Sequence, residues 1–177
     1  MSKLVGKIHF APKQRCIKAS DVFSLKSILL PGDVLLTYSL GELTNKFIEG
    51  QYKHCAMYAG AERVIEAVGS GVRGESLEDF CASKDLIGVF RARFCDEATA
   101  KKAVQFAEKQ IGQPYDYSFE PNEKAFYCAE LVATAYMFAM DDKAPFKYRK
   151  VLGIDTVLPI DFKLATSKFD LITERPL

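Results

Sequence analysis

The chain has 177 residues, 49% of them hydrophobic and 27% charged, and its formal net charge is +1 from 24 Lys and Arg against 23 Asp and Glu. That length fits one domain over residues 1–177 with a core that needs no staples. The balanced charge gives no electrostatic argument for nucleic acid or an anionic membrane as partner, and five cysteines without a CxxC pair disfavour both a disulfide framework and a zinc knuckle.

Residues 1–30 carry little pattern and read as an N-terminal extension or first strand. Val5 to Phe10 fits a short strand and Ser20 to Lys26 a weak helix start. The N-terminus lacks the apolar core of a secretory signal, and no apolar run is long enough to span a bilayer. With unpaired cysteines, the expected compartment is the reducing cytoplasm. His9, one of only two histidines, is a reserve candidate for a catalytic base, against the plainer reading of a surface or core residue.

Pro31-Gly32-Asp33 forms a turn, and Val34 to Tyr38 is a strand rich in β-forming residues. Gly41 to Glu49 carries Leu43, Phe47 and Ile48 at helical spacing, which predicts a short helix closed by Gly50. Lys53 to Gly60 and Arg63 to Gly69 then read as two strands with a tight connection. Strand parity sets His54, Ala56 and Tyr58 on one face, with Cys55 and Met57 on the other.

The connection decides what faces His54. A three-residue loop at 59–61 carries the register on until His54 stands opposite Glu66 on one face. A two-residue loop at Gly60-Ala61 turns Glu66 to the other face, and a bulge also changes the parity. The bland alternative for Glu66 is a solvated strand carboxylate.

Gly69 to Gly74 reads as a flexible loop. Ser76, with Asp79 three residues on, starts a short helix, and Leu86 to Arg93 is the next strand. Asp96 caps an amphipathic helix whose stripe is Ala100, Ala103, Val104, Ala107 and Ile111, ended by Gly112 and Pro114. Phe126 to Met140 has no Gly or Pro and is apolar on nearly every side, so it is a helix buried in the middle of the domain. Residues 141–157 are polar and irregular. Leu158 to Phe162 opens a short helix with Pro in its first turn, and Phe169 to Thr173 is a last strand. This order gives an α+β arrangement with one antiparallel sheet.

Cys128 stands at the front of the buried helix, where unpaired N–H groups and the positive end of the dipole favour a thiolate, the nucleophilic form. Cysteine hydrolysis needs a thiolate, an imidazole and a polar group that fixes the imidazole tautomer, and Cys128, His54 and Glu66 supply these types. Against this stands the ordinary fate of a free cysteine as inert packing, which is how Cys16, Cys55, Cys81 and Cys95 are read. Tyr115, Tyr117 and the Cys128 backbone N–H are the candidates for holding an oxyanion, with core packing the role of at least one of the tyrosines. No cofactor or metal is called for.

Taken together, Gly32-Asp33-Val34, His54 in a strand, Val64-Ile65-Glu66-Ala67 with Gly71-Val72 after it, Gly112-Gln113-Pro114-Tyr115-Asp116, Tyr127-Cys128-Ala129-Glu130-Leu131-Val132 and Leu158-Pro159 with Asp161-Phe162 resemble the circularly permuted branch of the NlpC/P60 papain-like hydrolases, the YiiX/YaeF-like group. The resemblance runs over roughly residues 31–175, with histidine before cysteine in the permuted order. It implies a papain-like α+β fold in which an antiparallel sheet or barrel packs against the helix carrying the nucleophile. It also implies Cys128 as nucleophile, His54 as base and Glu66 as orienting group. The implied substrate is an amide in a cell-wall peptide, or an acyl-lipid linkage, cleaved through a thioester. Lys53 stands where many relatives have a small hydroxyl residue, and Ala129 and Glu130 where a Ser or Gly is frequent. Two rival uses of the same pocket are a binding module for a fatty acyl chain or peptide end, and an acyltransferase.

Overall fold

The computed structural model describes residues 16–39, 50–118, 124–141, 148–151 and 153–176. The expected strand at Val5 to Phe10, His9 and the expected helix at Gly41 to Glu49 lie outside the described residues. Within them, the elements in chain order are α1 (Ala19–Ile28), β1 (Val34–Tyr38), β2 (His54–Gly60), β3 (Arg63–Val68), β4 (Gly71–Ser76), α2 (Leu77–Ala82), β5 (Leu86–Ala92), α3 (Glu97–Lys109), α4 (Cys128–Ala139), β6 (Arg149–Val151), β7 (Ile154–Thr156), α5 (Pro159–Leu164) and β8 (Phe169–Arg175).

Six strands form one sheet in the order β4-β3-β2-β1-β5-β8, every neighbouring pair antiparallel. Both faces are covered, which is why β1 reads as a continuous apolar run instead of an alternating one. Val34 and Leu36 point to the face where α3 and α4 pack, with Cys55, Met57, Ile65 and Ala67. Leu35 points to the other face, with Ala56, Tyr58 and Val64 under α1 and α2.

The helices begin where their capping chemistry allows. Asp96 accepts the Thr99 N–H at 2.8 Å at the start of α3, and Ser76 accepts the Asp79 N–H at 3.0 Å at the start of α2. The α3 stripe buries Ala103, Val104 and Ala107; Ile111 lies past the helix and is exposed. Nine of the twelve residues of α4 are buried, and five of those nine are Ala or Cys. Such small side chains let the helix lie close to both the sheet and α3. At the far end of the sheet, buried Asp33 takes Arg91 in a fork, Oδ1 to Nε at 2.8 Å and Oδ2 to Nη2 at 2.7 Å, which ties β1 to β5.

Two expectations are corrected here. The stretch Gly69 to Gly74 is not a flexible loop: from Gly71 onward it is β4, an edge strand in register with β3 from Val68↔Gly71 to Arg63↔Ser76. Nor are residues 141–157 wholly irregular, since β6 and β7 pair from Arg149↔Thr156 to Val151↔Ile154. In both cases the strands are short or glycine-containing, and pairing, not propensity, makes them strands.

Gly71 shows why glycine stands in β4. Its φ is +112°, and a β-carbon there would sit 2.6 Å from the Gln113 carbonyl oxygen. That oxygen accepts the Val72 N–H at 2.8 Å, so the close approach ties β4 to the turn leading toward Tyr115. Gly71→Ala is expected to lower stability by about 2 kcal/mol through backbone strain and overpacking. Urea denaturation of the two proteins checks this.

Candidate active site

His54 opens β2 at the end of the sheet, opposite Thr37 of β1. The hairpin that brings Glu66 to it is built differently from either simple alternative. Ala61 and Glu62 form a two-residue loop with φ of 48° and 59°, the type I′ geometry, and Gly60 pairs with Arg63. Alone, that loop would set Glu66 on the wrong face. A register shift between Tyr58 and Gly60 then restores the parity, so Glu66 stands opposite Ala56, on the His54 face. The expectation of Glu66 directly opposite His54 is therefore corrected: the two are diagonal neighbours, and their side chains span the offset. His54 Nε2 lies 2.6 Å from Glu66 Oε2.

Glu66 is 1% exposed, and its other oxygen is occupied as well. Arg73, its cross-strand partner on β4, donates to Oε1 from Nε at 2.8 Å and from Nη2 at 2.6 Å. Burial alone would raise the Glu66 carboxyl, but hydrogen bonds from His54, Glu75 and Arg73 and the His54 charge hold it well below the usual carboxylate range. It is an anion at any ordinary pH.

Cys128 is the first residue of α4 and is buried. The chain ahead of it is anchored on both sides. The Tyr127 hydroxyl accepts the Val157 N–H at 3.1 Å and lies 2.8 Å from Thr156 Oγ1, while the Tyr127 N–H donates to Glu130 Oε2 at 3.3 Å. Further back, Phe126 donates its N–H to Pro114 O at 3.1 Å and accepts Asp116 N–H at 3.2 Å. These bonds carry the Pro114-Tyr115-Asp116 turn alongside the helix start.

The helix leading with Cys128 packs on one face of the sheet and the Glu66 carboxylate lies on the other; His54, at the sheet's end, is open to both. Burial would lower the His54 imidazole, yet hydrogen bonding to Cys128 and to Glu66, with the charge of each, pushes it up to about 9. With Nε2 on Glu66, Nδ1 is the ring nitrogen left for the hydrogen bond with Cys128.

The tyrosines separate. Tyr115 is half-buried, and burial followed by the charge on Cys128 pushes its phenol well above the ordinary range, so it stays protonated. Tyr117 is 72% exposed, and its hydroxyl donates to Gly69 O at 2.8 Å. Its ring packs on Tyr115 with centroids 4.9 Å apart.

Burial pushes Cys55 well above its ordinary value, Cys81 up to about 12 and Cys95 up to about 11. Cys55 lies on the α3/α4 face, away from the Glu66 face, and the second influence on it is the charge of Cys128. Cys16 is exposed.

Sequence reasoning missed Arg73 and Glu75, both of which lie in β4. The signal was present in Val72-Arg73-Gly74-Glu75, whose charged residues alternate at strand spacing next to a strand carrying a buried acid. Among the described residues, no group of three or more His, Cys, Asp or Glu side chains could hold a metal ion, and no helix is long and apolar enough to cross a membrane.

Comparison with known families gives a match over residues 29–165 to one described as a permuted papain-like amidase enzyme, YaeF/YiiX, C92 family. Among solved structures, the chain is similar to the metalloprotein yiiX from Escherichia coli O157:H7, with 23% identity, a TM-score of 0.61, and 77% of this chain and 78% of that one covered. At that identity the likeness speaks for the fold. No curated protein matches the chain.

Proposed function

Because the chain belongs to the C92 family of permuted papain-like amidases, YaeF/YiiX, we propose that it cleaves a peptide amide by acyl transfer, with Cys128 as nucleophile, His54 as base and acid, and Glu66 as the group that orients the imidazole. The observation that carries this reading is the His54–Glu66 contact of 2.6 Å, made on an imidazole whose other partner is a cysteine at a helix start.

The Cys128 thiol gives its proton to His54 Nδ1, leaving a thiolate beside an imidazolium that Glu66 stabilises through Nε2. The thiolate attacks the amide carbonyl carbon. The negative charge moves to the carbonyl oxygen, where the Cys128 backbone N–H, unmatched within the helix, and the Tyr115 hydroxyl donate to it. As the carbon–nitrogen bond breaks, Nδ1 returns the proton to the leaving amine and a thioester remains. Water then loses a proton to Nδ1 and attacks the thioester, releasing a carboxylic acid and restoring the thiolate. Tyr117, held by Gly69, serves as a wall of the cleft instead of an oxyanion donor. A cell-wall peptide is the substrate class we favour within peptides, since it is the amide the family resemblance implies.

A p-nitrophenyl ester probe tests the step. Intact-mass measurement should show one acyl group added to the wild type, mapped to Cys128, and none in Cys128→Ala. An adduct that persists in Cys128→Ala, or that maps to the exposed Cys16, contradicts the assignment.

A further inference from the structure

A buried carboxylate that must hold an imidazole needs its second oxygen held too, or it can rotate away. Arg73 and Glu75 sit two residues apart on β4 and so on the same face as Glu66. We propose that both are positioning residues for the His54–Glu66 pair: Arg73 pins one Glu66 oxygen so that the other stays on the imidazole, and Glu75, by gaining or losing a proton, governs how much of that guanidinium Glu66 keeps. This rests on the reading of Cys128, His54 and Glu66 as the acyl-transfer group.

The geometry separates the two oxygens. Oε1 takes both Arg73 donors, at 2.8 and 2.6 Å, and Oε2 takes His54. Two donors on one oxygen fix the carboxylate plane as one donor cannot, and Arg73 supplies them from a half-exposed position without entering the cleft. Its Nη2 also lies 3.3 Å from Glu75 Oε2, so the two acids share one cation.

The groups facing Glu75 are Glu66 from β3, Arg73 from its own strand, and Lys84 and Cys81 from the α2 region. Burial, and next the hydrogen bond and charge of Glu66, push the Glu75 carboxyl up to about 7, against the opposing pull of Arg73 and Lys84. When protonated, Glu75 donates to Glu66 and leaves Arg73 to it alone. When ionised, it repels Glu66 and competes for Nη2. The imidazole is thereby exposed to a change of charge one residue beyond its direct partner. Lys84 lies on the same side, its Nζ 4.9 Å from the centroid of the Phe80 ring, which itself lies 6.3 Å from the His54 ring.

The test uses steady-state hydrolysis of a p-nitrophenyl ester by the full chain, with proton NMR of the His54 Nε2–H. Arg73→Ala should lower kcat roughly tenfold or more with KM little changed, and broaden or remove the downfield Nε2–H resonance. Guanidinium ion at millimolar concentration should restore part of kcat, which a merely unfolded variant would not allow. Arg73→Lys, with charge but no fork, should recover less than half of the loss. Wild-type kcat should carry an inflection at about pH 7 that is missing in Glu75→Gln. An Arg73→Ala enzyme with unchanged kcat and resonance overturns the pinning role, and an inflection that survives in Glu75→Gln, or is absent from the wild type, overturns the role of Glu75. A wild type whose turnover is unaffected by His54→Ala overturns instead the acyl-transfer reading on which both rest.

Discussion

Cys128→Ala is expected to lower amide hydrolysis roughly ten-thousand-fold or more while leaving the fold intact. The substitution exchanges a buried thiol for a methyl group at the first residue of a helix whose other buried residues are mostly Ala, Leu and Val, so packing changes little. What goes is the proposed nucleophilic sulfur. Cys128→Ser should be nearly as inactive. An alkoxide is far harder to form than a thiolate at the pH where the imidazole accepts a proton. Hydrolysis assays on the three proteins, with thermal melting to show equal folding, check this. A Cys128→Ser enzyme that keeps a tenth or more of wild-type activity would contradict a thiolate mechanism.

Glu66→Ala is expected to have the second-largest effect, and to act on rate and stability together. Without the carboxylate, burial still lowers the His54 imidazole while only Cys128 opposes it, so the imidazole should fall from about 9 toward or below its ordinary 6.5. The proposed thiolate–imidazolium pair then loses the carboxylate that steadies the imidazolium, and activity should drop roughly a hundredfold or more. Glu66→Gln should drop less, because an amide oxygen still accepts from Nε2 and holds the tautomer.

Stability follows from the two shifted groups. The folded His54 value is raised, so its contribution is complete below about pH 6.5 and is lost as pH climbs through about 9. The folded Glu66 value is depressed, so its contribution is complete above about pH 4.5 and is lost as pH falls through that depressed value. Both are in full force between those limits. There Glu66→Ala should cost about 3 kcal/mol, the lower end of what breaking a buried pair costs, because half-exposed Arg73 rehydrates. Chemical denaturation at pH 5.5 and at pH 9.5 should show the larger difference at the lower pH.

The fold was legible wherever side-chain period and capping agreed. Asp96 with the Ala103, Val104 and Ala107 stripe gave α3, Ser76 gave α2, and the unbroken apolar run gave α4 with Cys128 at its head. What resisted reading was set by pairing. Gly71 and Gly74 look like loop residues because glycine has no strand preference, yet β3 supplies a partner for every residue from 71 to 76. The polar three-residue strands β6 and β7 exist only through each other.

The His54–Glu66 contact was legible in its residue types and only partly in its geometry. Two local departures, a type I′ loop and a bulge, cancel in parity, so Glu66 reaches the His54 face by a register that spacing alone does not reveal. Losing β4 to a loop also hid Arg73 and Glu75, whose meaning depends on standing across from a buried acid. Tyr115 and Tyr117 are alternate residues in one short stretch, and only their burial and the bond from Tyr117 to Gly69 O tell them apart.

The most direct measurement of the central claim is the rate of iodoacetamide alkylation at Cys128 at neutral pH, followed by peptide mapping in wild type and His54→Ala, with exposed Cys16 in the same molecule as the reference. The proposed thiolate–imidazolium pair predicts that Cys128 is alkylated at least roughly tenfold faster than Cys16 at neutral pH, and that His54→Ala removes that advantage. Cys128 labelling no faster than Cys16 at neutral pH, and unchanged in His54→Ala, would contradict it.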